Sequence, residues 1–436
     1  MKTIFRLLLL AIALLPALAA ATIPPIEHWD TANGTPVYFV RVPSLPMVDM
    51  KLLFQAGSSR DGAKKGLASL TMATLDEGAG GLTAEVLSDR FAAAGARFGK
   101  ETGRDSATVA LRTITDPALY EPALANFLLI LAHPDFPVAA MERQRQRILS
   151  GIEKKKESAG AQAEEAFFRA AYGDHPYASP PEGTPDSLKA LTREDLAAFH
   201  KSFLTQKNAV LALAGDLTSE AAHALAERLL RDLPVGEKAP PLPAPLALTE
   251  ERRVHIDLPF AQTHVRLGQP AVKRGDPDYL ALQVGNYILG GNPLTSRLFR
   301  EIRDKKGLAY SVFSQMVPMA VPGPFRAALE SRNAVLADAV QRLRQILADY
   351  QAHGPTEKEL KAAKQGMVGS FPLLFDTNAK IVDIMGMVGF YGLPLDYLTN
   401  YVATVEKVTV ADVVRVFQSH LDPSHMALIT VGGAKP

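Results

Sequence analysis

The 436-residue chain has no cysteine, which excludes disulfides and any lipid anchor attached through a thiol. It has almost no net charge either, since 47 Lys and Arg against 46 Asp and Glu leave a formal +1. A nucleic-acid binder needs a basic face, so that class has no support. The 10 histidines form no H-x-x-E-H, no H-x-x-x-H and no cluster, so the common helical zinc spacings are missing. The stretch LGGNP at 289–293 is glycine-rich but lacks the Lys-Ser/Thr of a phosphate loop, and reads as a turn. There is no G-x-S-x-G elbow of a serine hydrolase. Beyond the N-terminus, no run reaches the roughly 20 apolar residues that a membrane helix needs.

What is present begins with MKTIFRLLLLAIALLPALAAA. Lys2 and Arg6, the apolar run Leu7 to Leu15 and the small residues Ala17, Ala19 and Ala21 have the pattern of a cleavable secretory signal, residues 1–20. The expected location is the periplasm, with no membrane span after signal cleavage. With 47% apolar residues, the remainder is long enough for two or more compact units with cores of their own.

Residues 36–56 read as two strands with Pro43 and Pro46 in the turn between them. Helical patterns follow at 64–77 and 83–95, a strand at 106–114, and a helix from Asp116-Pro117 to about 132. Residues 137–171 read as one long charged helical region. Helix 193–203 then leads into the strand NAVLALAGD. That unit recurs: LTREDLAAFHKSFLTQKNAVLALAGD at 191–216 aligns without a gap with VTVADVVRVFQSHLDPSHMALITVGG at 408–433, offset by 217 residues over 26 positions. Thr192 and Thr409 stand as N-caps, with Asp195 and Asp412 in the first turn. Gap-free agreement of this length argues for duplication.

The division is therefore an N-terminal half at 21–232, a stiff Pro-rich linker at 233–252, and a C-terminal half at 253–436. Strand-then-helix order in both halves predicts an α+β fold, each half a mostly antiparallel sheet covered by helices.

Residues 286–314, NYILGGNPLTSRLFREIRDKKGLAYSVFS, draw the eye for chemistry. Leu298, Phe299, Ile302 and Leu308 recur at helical spacing, with Arg297, Arg300, Glu301, Arg303 and Asp304 on the other face. Gly307 suits a left-handed cap after Lys305 and Lys306, and Leu308 to Phe313 reads as a strand. Spacing alone allows a surface helix with solvated charges and Tyr310 as an ordinary strand aromatic.

The stretch resembles the C-terminal half of the pitrilysin/insulinase zinc-metallopeptidase family, the mitochondrial-processing-peptidase-like group, in its segment SRLF-x-x-(I/V)-R-x-(K/x)-x-G-L-x-Y. QAGSSRDGAKKGLASL, GDHPYASPPEGTPDSLKALT and YGLPLDYLTNYVATVEKVT resemble further family landmarks in family order. The resemblance implies two related halves closing like a clam shell. It also implies that Arg303 and Tyr310, seven residues apart, bind substrate: Arg303 as a clamp on a carbonyl or carboxylate, Tyr310 as a donor to the oxyanion.

Active members carry H-x-x-E-H on a helix of the N-terminal half. The matching positions here hold Ser69, Met72 and Ala73. The third ligand should fall near Gly151; Glu153 lies two residues away and reads as a solvated charge. Methyl and thioether groups neither hold zinc tightly nor take a proton from water at neutral pH. His255 and His264 flank a strand turn, with Asp257 on the face of His255, and His175 matches a structural landmark. No metal is expected in this chain. The resemblance implies a non-zinc subunit with zinc in a homologous partner subunit, together forming a heterodimeric peptidase acting on peptides or unfolded segments. A non-enzymatic scaffold or peptide-binding protein of the same fold is the alternative.

Overall fold

A computed structural model describes residues 25–435. The signal expected at residues 1–20 lies outside the described residues. The N-terminal half contains strands β1 (Ile26–Asp30), β2 (Pro36–Arg41) and β3 (Met47–Phe54), then helix α1 (Leu67–Thr74) and a short hairpin of β4 (Gly78–Ala79) and β5 (Leu82–Thr83). Helix α2 (Ala84–Ala93), strands β6 (Arg97–Thr102) and β7 (Ala107–Ile114), and helices α3 (Pro117–Ala132), α4 (Val138–Lys155) and α5 (Ala159–Tyr172) follow. Helices α6 (Pro185–Ala190) and α7 (Arg193–Phe203), strand β8 (Ala209–Gly215) and helix α8 (Ser219–Leu230) complete it. The C-terminal half contains β9 (Arg252–Asp257), β10 (Gln262–Val272), α9 (Tyr279–Asn286), β11 (Ser311–Met316) and β12 (Gly323–Arg332). It ends with α10 (Leu336–His353), α11 (Glu357–Ser370), α12 (Asn378–Phe390), α13 (Tyr401–Lys407), α14 (Val410–His420) and β13 (Ala427–Gly432).

The two sheets share one plan. The N-terminal order is β1-β2-β8-β3-β7-β6, and the C-terminal order read from its far edge is β9-β13-β10-β12-β11. Each has one parallel pair, β2 with β8 and β9 with β13, and is otherwise antiparallel. The duplication thus extends well past its sequence signature. Helices α7 and α14 both start from a reciprocal capping box, Thr192 with Asp195 and Thr409 with Asp412.

Both faces of each sheet are covered, and the second cover comes from the other half. Helix α5 lies on β10 and β13, while α12 lies on β2, β3 and β8. The region read as one helix over 137–171 breaks at Glu157 and Ser158, and Ser158 caps α5 by accepting from Ala161 N. The Ala159, Ala163 and Phe167 face of α5 packs with Ala427, Ile429 and Val431 of β13. In return Ile381, Val382, Met385 and Val388 of α12 pack with Val40, Val210 and Ala212. This explains why β8 and β13 are buried at every position: a strand covered on both faces is apolar throughout rather than alternating. Burial of each such side chain is worth about 1.5–3 kcal/mol over exposure, so the exchanged helices tie the two halves together.

Other differences from the sequence reading are local. The helix expected at 64–77 is confined to Leu67–Thr74. The strand expected from Leu308 starts at Ser311. Between α8 and β9, residues 234–250 carry no helix or strand, as the Pro-rich composition predicts. Among the described residues, no helix is long and apolar enough to cross a membrane.

Candidate functional site

Helix α1 occupies the position of the metal-binding helix. Gly66, at φ +87, turns the chain into it, and the Asp61 carboxylate accepts from Gly66 N at 2.7 Å and Ala68 N at 2.8 Å. Burial pushes the Asp61 carboxyl up to about 7, with these amides pulling the other way. Ser69 Oγ donates to Pro181 O at 2.7 Å, so its one oxygen is engaged with the loop. Met72 is 2% exposed and belongs to the core. Ala73 has no polar side-chain atom, and its carbonyl accepts from Lys100 Nζ at 2.7 Å, an ammonium that also pairs with Asp76. Glu153 is exposed and paired with Lys156 at 2.8 Å. A Cβ on Gly151 would meet nothing within 4 Å. These residues do not fit a zinc centre: they present no imidazole and no inward carboxylate, and an internal cation already stands beside Ala73.

In the C-terminal half the chain after α9 winds with widened, π-type turns at Tyr287–Gly291 and Phe299–Asp304, a geometry frequent at functional sites. Gly290 is needed there, because a Cβ would stand 2.4 Å from Ser314 N. The LGGNP turn reading holds: Asn292 Oδ1 accepts from Leu294 N and Thr295 N, both at 3.0 Å. Gly307, at φ +59, ends the second segment, and its N–H donates to Arg303 O at 3.0 Å.

The charges on this segment are not equivalent. Arg297 donates to Glu359 from Nε at 2.9 Å and Nη2 at 2.6 Å, and Arg300 donates to the same carboxylate at 2.6 Å. Burial works against ionised Glu359, yet Arg297 and Thr356 outweigh it and hold the carboxyl at about 2. Glu301 accepts from Lys305 at 2.7 Å and Arg342 at 3.2 Å. Those four side chains anchor the segment to its own turn and to α10 and α11. Arg303 points elsewhere. Its guanidinium lies 5.5 Å from the centre of the Tyr310 ring and has no acidic partner among the described residues. Tyr310 is 71% exposed, and its backbone N–H is fixed to Glu330 O at 2.9 Å. The structure therefore brings Arg303 and Tyr310 together and presents both to solvent.

His255 and His264 do not converge. His255 Nδ1 meets Thr430 Oγ1 at 2.9 Å, and His264 lies 3.6 Å from Glu330. His175 is structural: its Nδ1 accepts from Tyr177 N at 3.1 Å and its Nε2 donates to the linker at Pro243 O at 2.9 Å. A grouping with no sequence signature is Asp276, Asp278 and His420, whose ligand atoms lie within 4.8 Å. Arg415 already donates to Asp278 at 2.9 and 3.2 Å, so that position holds a cation of its own.

The family model described as the peptidase M16 inactive domain matches residues 190–367, a span that includes the Arg303 segment. A crystal structure of the peptidase M16 inactive domain from Pseudomonas fluorescens superposes with a TM-score of 0.91 at 36% identity, covering 94% of this chain and 100% of that one. The chain belongs to the M16 peptidase family. The resemblance to the pitrilysin/insulinase peptidases is borne out, and so is the fold expected from it. The M16 relative named non-peptidase homolog YmxG, from Helicobacter pylori, is 24% identical over 405 residues, 92% of each chain. An uncharacterized zinc protease of Mycobacterium leprae is 32% identical over 246 residues, and the match spans about half of each chain, 55% of this one and 54% of that one.

Proposed function

We propose that this M16 chain is the non-zinc, substrate-binding subunit of a heterodimeric periplasmic zinc metallopeptidase acting on peptides or unfolded segments. One observation carries the reading: α1 carries no metal-binding side chain, while Arg303 and Tyr310 stand side by side, open to solvent and without an acidic partner among the described residues. A scaffold has no evident need for that pair. Arg303 offers a planar fork of donors to a substrate carbonyl or carboxylate. Tyr310 offers a hydroxyl to the carbonyl oxygen on which charge develops, where a preorganised donor acts most strongly. Peptide would be held as an added strand; β6 pairs only with β7 and leaves its outer edge without a strand. Zinc is expected in the homologous partner, where it would activate water and polarise the scissile carbonyl.

The test is co-expression with a homologous chain that carries an intact H-x-x-E-H. A stable 1:1 complex that digests unstructured peptides, with neither chain active alone, is expected. Stoichiometric zinc and chelator-sensitive activity in this chain by itself would overturn the reading. The full-length match to a relative named a non-peptidase homolog favours the second reading, a non-enzymatic scaffold or peptide-binding protein. It predicts a complex, or none, whose turnover is indifferent to Tyr310.

A further inference from the structure

An arginine that must bind substrate faces a conflict. A salt bridge would fix it but consume its charge and its donors, while leaving it unpaired lets a flexible side chain wander. Arg303 avoids both. Its guanidinium lies 5.1 Å from the centre of the Phe299 ring and 5.5 Å from that of the Tyr310 ring. Its neighbours Arg297, Arg300, Glu301 and Lys305 are all held by ion pairs instead.

The geometry points to Phe299 as a positioning residue for Arg303: its ring holds the guanidinium by its π face, together with Tyr310, and leaves the N–H groups in the guanidinium plane free to bind. The inference rests on the reading of Arg303 as a substrate-binding group. Phe299 stands four residues before Arg303, and although the apolar pattern assigns them to opposite faces, the wound segment brings the two together on one. It is half-buried, in a segment clamped by Glu359, so the ring has a defined place from which to act. Aromatic faces attract a guanidinium without occupying its in-plane donors. A side chain held in its binding geometry loses less freedom when ligand arrives. An aliphatic side chain at 299 would fill space but supply no such attraction.

Two measurements on the full chain test this, and only the second needs a peptide. With arginine labelled at 15Nε, the Arg303 resonance is assigned by its loss in Arg303→Ala. In Phe299→Leu that resonance should move downfield and sharpen as the ring current and the restraint are lost, and in Phe299→Trp it should stay shifted. An unchanged resonance in Phe299→Leu overturns the proposal. The second measurement is fluorescence anisotropy with a pool of fluorescein-labelled random decapeptides. Phe299→Leu should weaken binding about three- to fivefold when Arg303 is present and not at all in an Arg303→Ala background. Equal weakening in both backgrounds would mean that Phe299 touches the peptide itself, which also overturns the positioning role. If Arg303→Ala binds as the wild type does, the substrate-binding reading of the site fails, and the resonance alone decides what Phe299 does.

Discussion

The phenol of Tyr391, at the end of α12, donates a 3.0 Å hydrogen bond to the carboxylate of Asp105, 286 residues earlier in the chain. Tyr177 donates to the other carboxylate oxygen, and Ala320 N, from the loop between β11 and β12, adds a third bond at 2.9 Å. Asp105 is 8% exposed, and three segments from both halves converge on it. A buried carboxylate with three donors is satisfied; deprived of itself, it leaves three donors stranded.

Tyr391→Phe should therefore cost about 1.5–3 kcal/mol of stability, the range for a bond to a charged group, and Asp105→Ala more. The single Trp, Trp29, reports the N-terminal half, while circular dichroism reports both. In urea the two probes should coincide for the wild type and separate for Asp105→Ala. Unaltered stability in both variants would show that the carboxylate does not join the halves.

Part of this architecture can be read from sequence because it is written in local chemistry. The capping boxes at Thr192 and Thr409 and the buried strands that follow them gave away the duplication. The pairing of Arg303 with Tyr310 was legible only through the resemblance of the SRLF segment to the peptidase family, since spacing alone allowed a solvated surface helix. The exchange of α5 was not. Lys154 to Glu157 continue a helix-favouring run, so only Ser158 marks the break, and nothing local says that the next helix serves another sheet. Strand β6, Arg-Phe-Gly-Lys-Glu-Thr, lacks an apolar alternation because its inward positions, Phe98, Lys100 and Thr102, are only half-buried and just one of them is apolar. The Asp105 contacts depend on tertiary placement alone, and no spacing encodes them.

The exchange of α12 depends on two glycines, Gly386, where a Cβ would stand 2.6 Å from Leu53 Cδ1, and Gly389. A Cβ at Gly389 would stand 2.3 Å from Tyr38 Cε2 and 2.6 Å from Val210 Cγ1, so Gly389→Ala should push the helix off the N-terminal sheet. The expected cost is about 1–3 kcal/mol, the range for overpacking. Gly369 in α11 is the control, since a Cβ there meets nothing within 4 Å. Gly369→Ala should be neutral or stabilising by up to about 1 kcal/mol through helix propensity. Equal effects of the two changes in chemical denaturation would contradict the close packing of α12.

Acid should weaken the fold through one buried and two half-buried histidines. Burial lowers the pKa of His200, whose Nε2–H donates to Leu131 O at 2.7 Å, and burial likewise lowers those of His175 and His264. A histidine depressed in the folded state takes its proton first in the unfolded chain. Stability is then fully present above the unfolded value near 6.5 and declines as pH falls below it, toward the folded pKa values. The Asp61 carboxyl, raised to about 7 in the fold, works with the opposite sign over the same window, so the histidine effect is read in an Asp61→Asn background. There urea midpoints should drop between pH 7.5 and pH 5.5, by less when His200→Gln is added, which keeps a donor for Leu131 O. A midpoint independent of pH across that window would remove the histidines from the account.

The charges of the Arg303 segment offer the sharpest division between holding the fold and serving function. Arg297 is chelated by Glu359 and lies 4.9 Å from the Tyr350 ring. Arg297→Ala should lower stability by roughly 1–2 kcal/mol, allowing for partial solvent screening of the pair. Arg303→Ala and Tyr310→Phe touch exposed groups without acidic partners and should leave stability within about 0.5 kcal/mol. In the heterodimeric peptidase we propose, the order should reverse. Tyr310→Phe removes one hydroxyl and should lower kcat by roughly ten- to a thousandfold, up to the scale of a lost oxyanion donor. Arg303→Ala should raise KM as well, because a clamp that acts on bound substrate is gone, and Arg303→Lys should rescue only in part, since a point charge lacks the planar fork. Were Arg303 a solvated helix-end charge and Tyr310 a packing aromatic, turnover in both conservative variants would stay within about twofold of wild type, and the catalytic reading of the pair would end there.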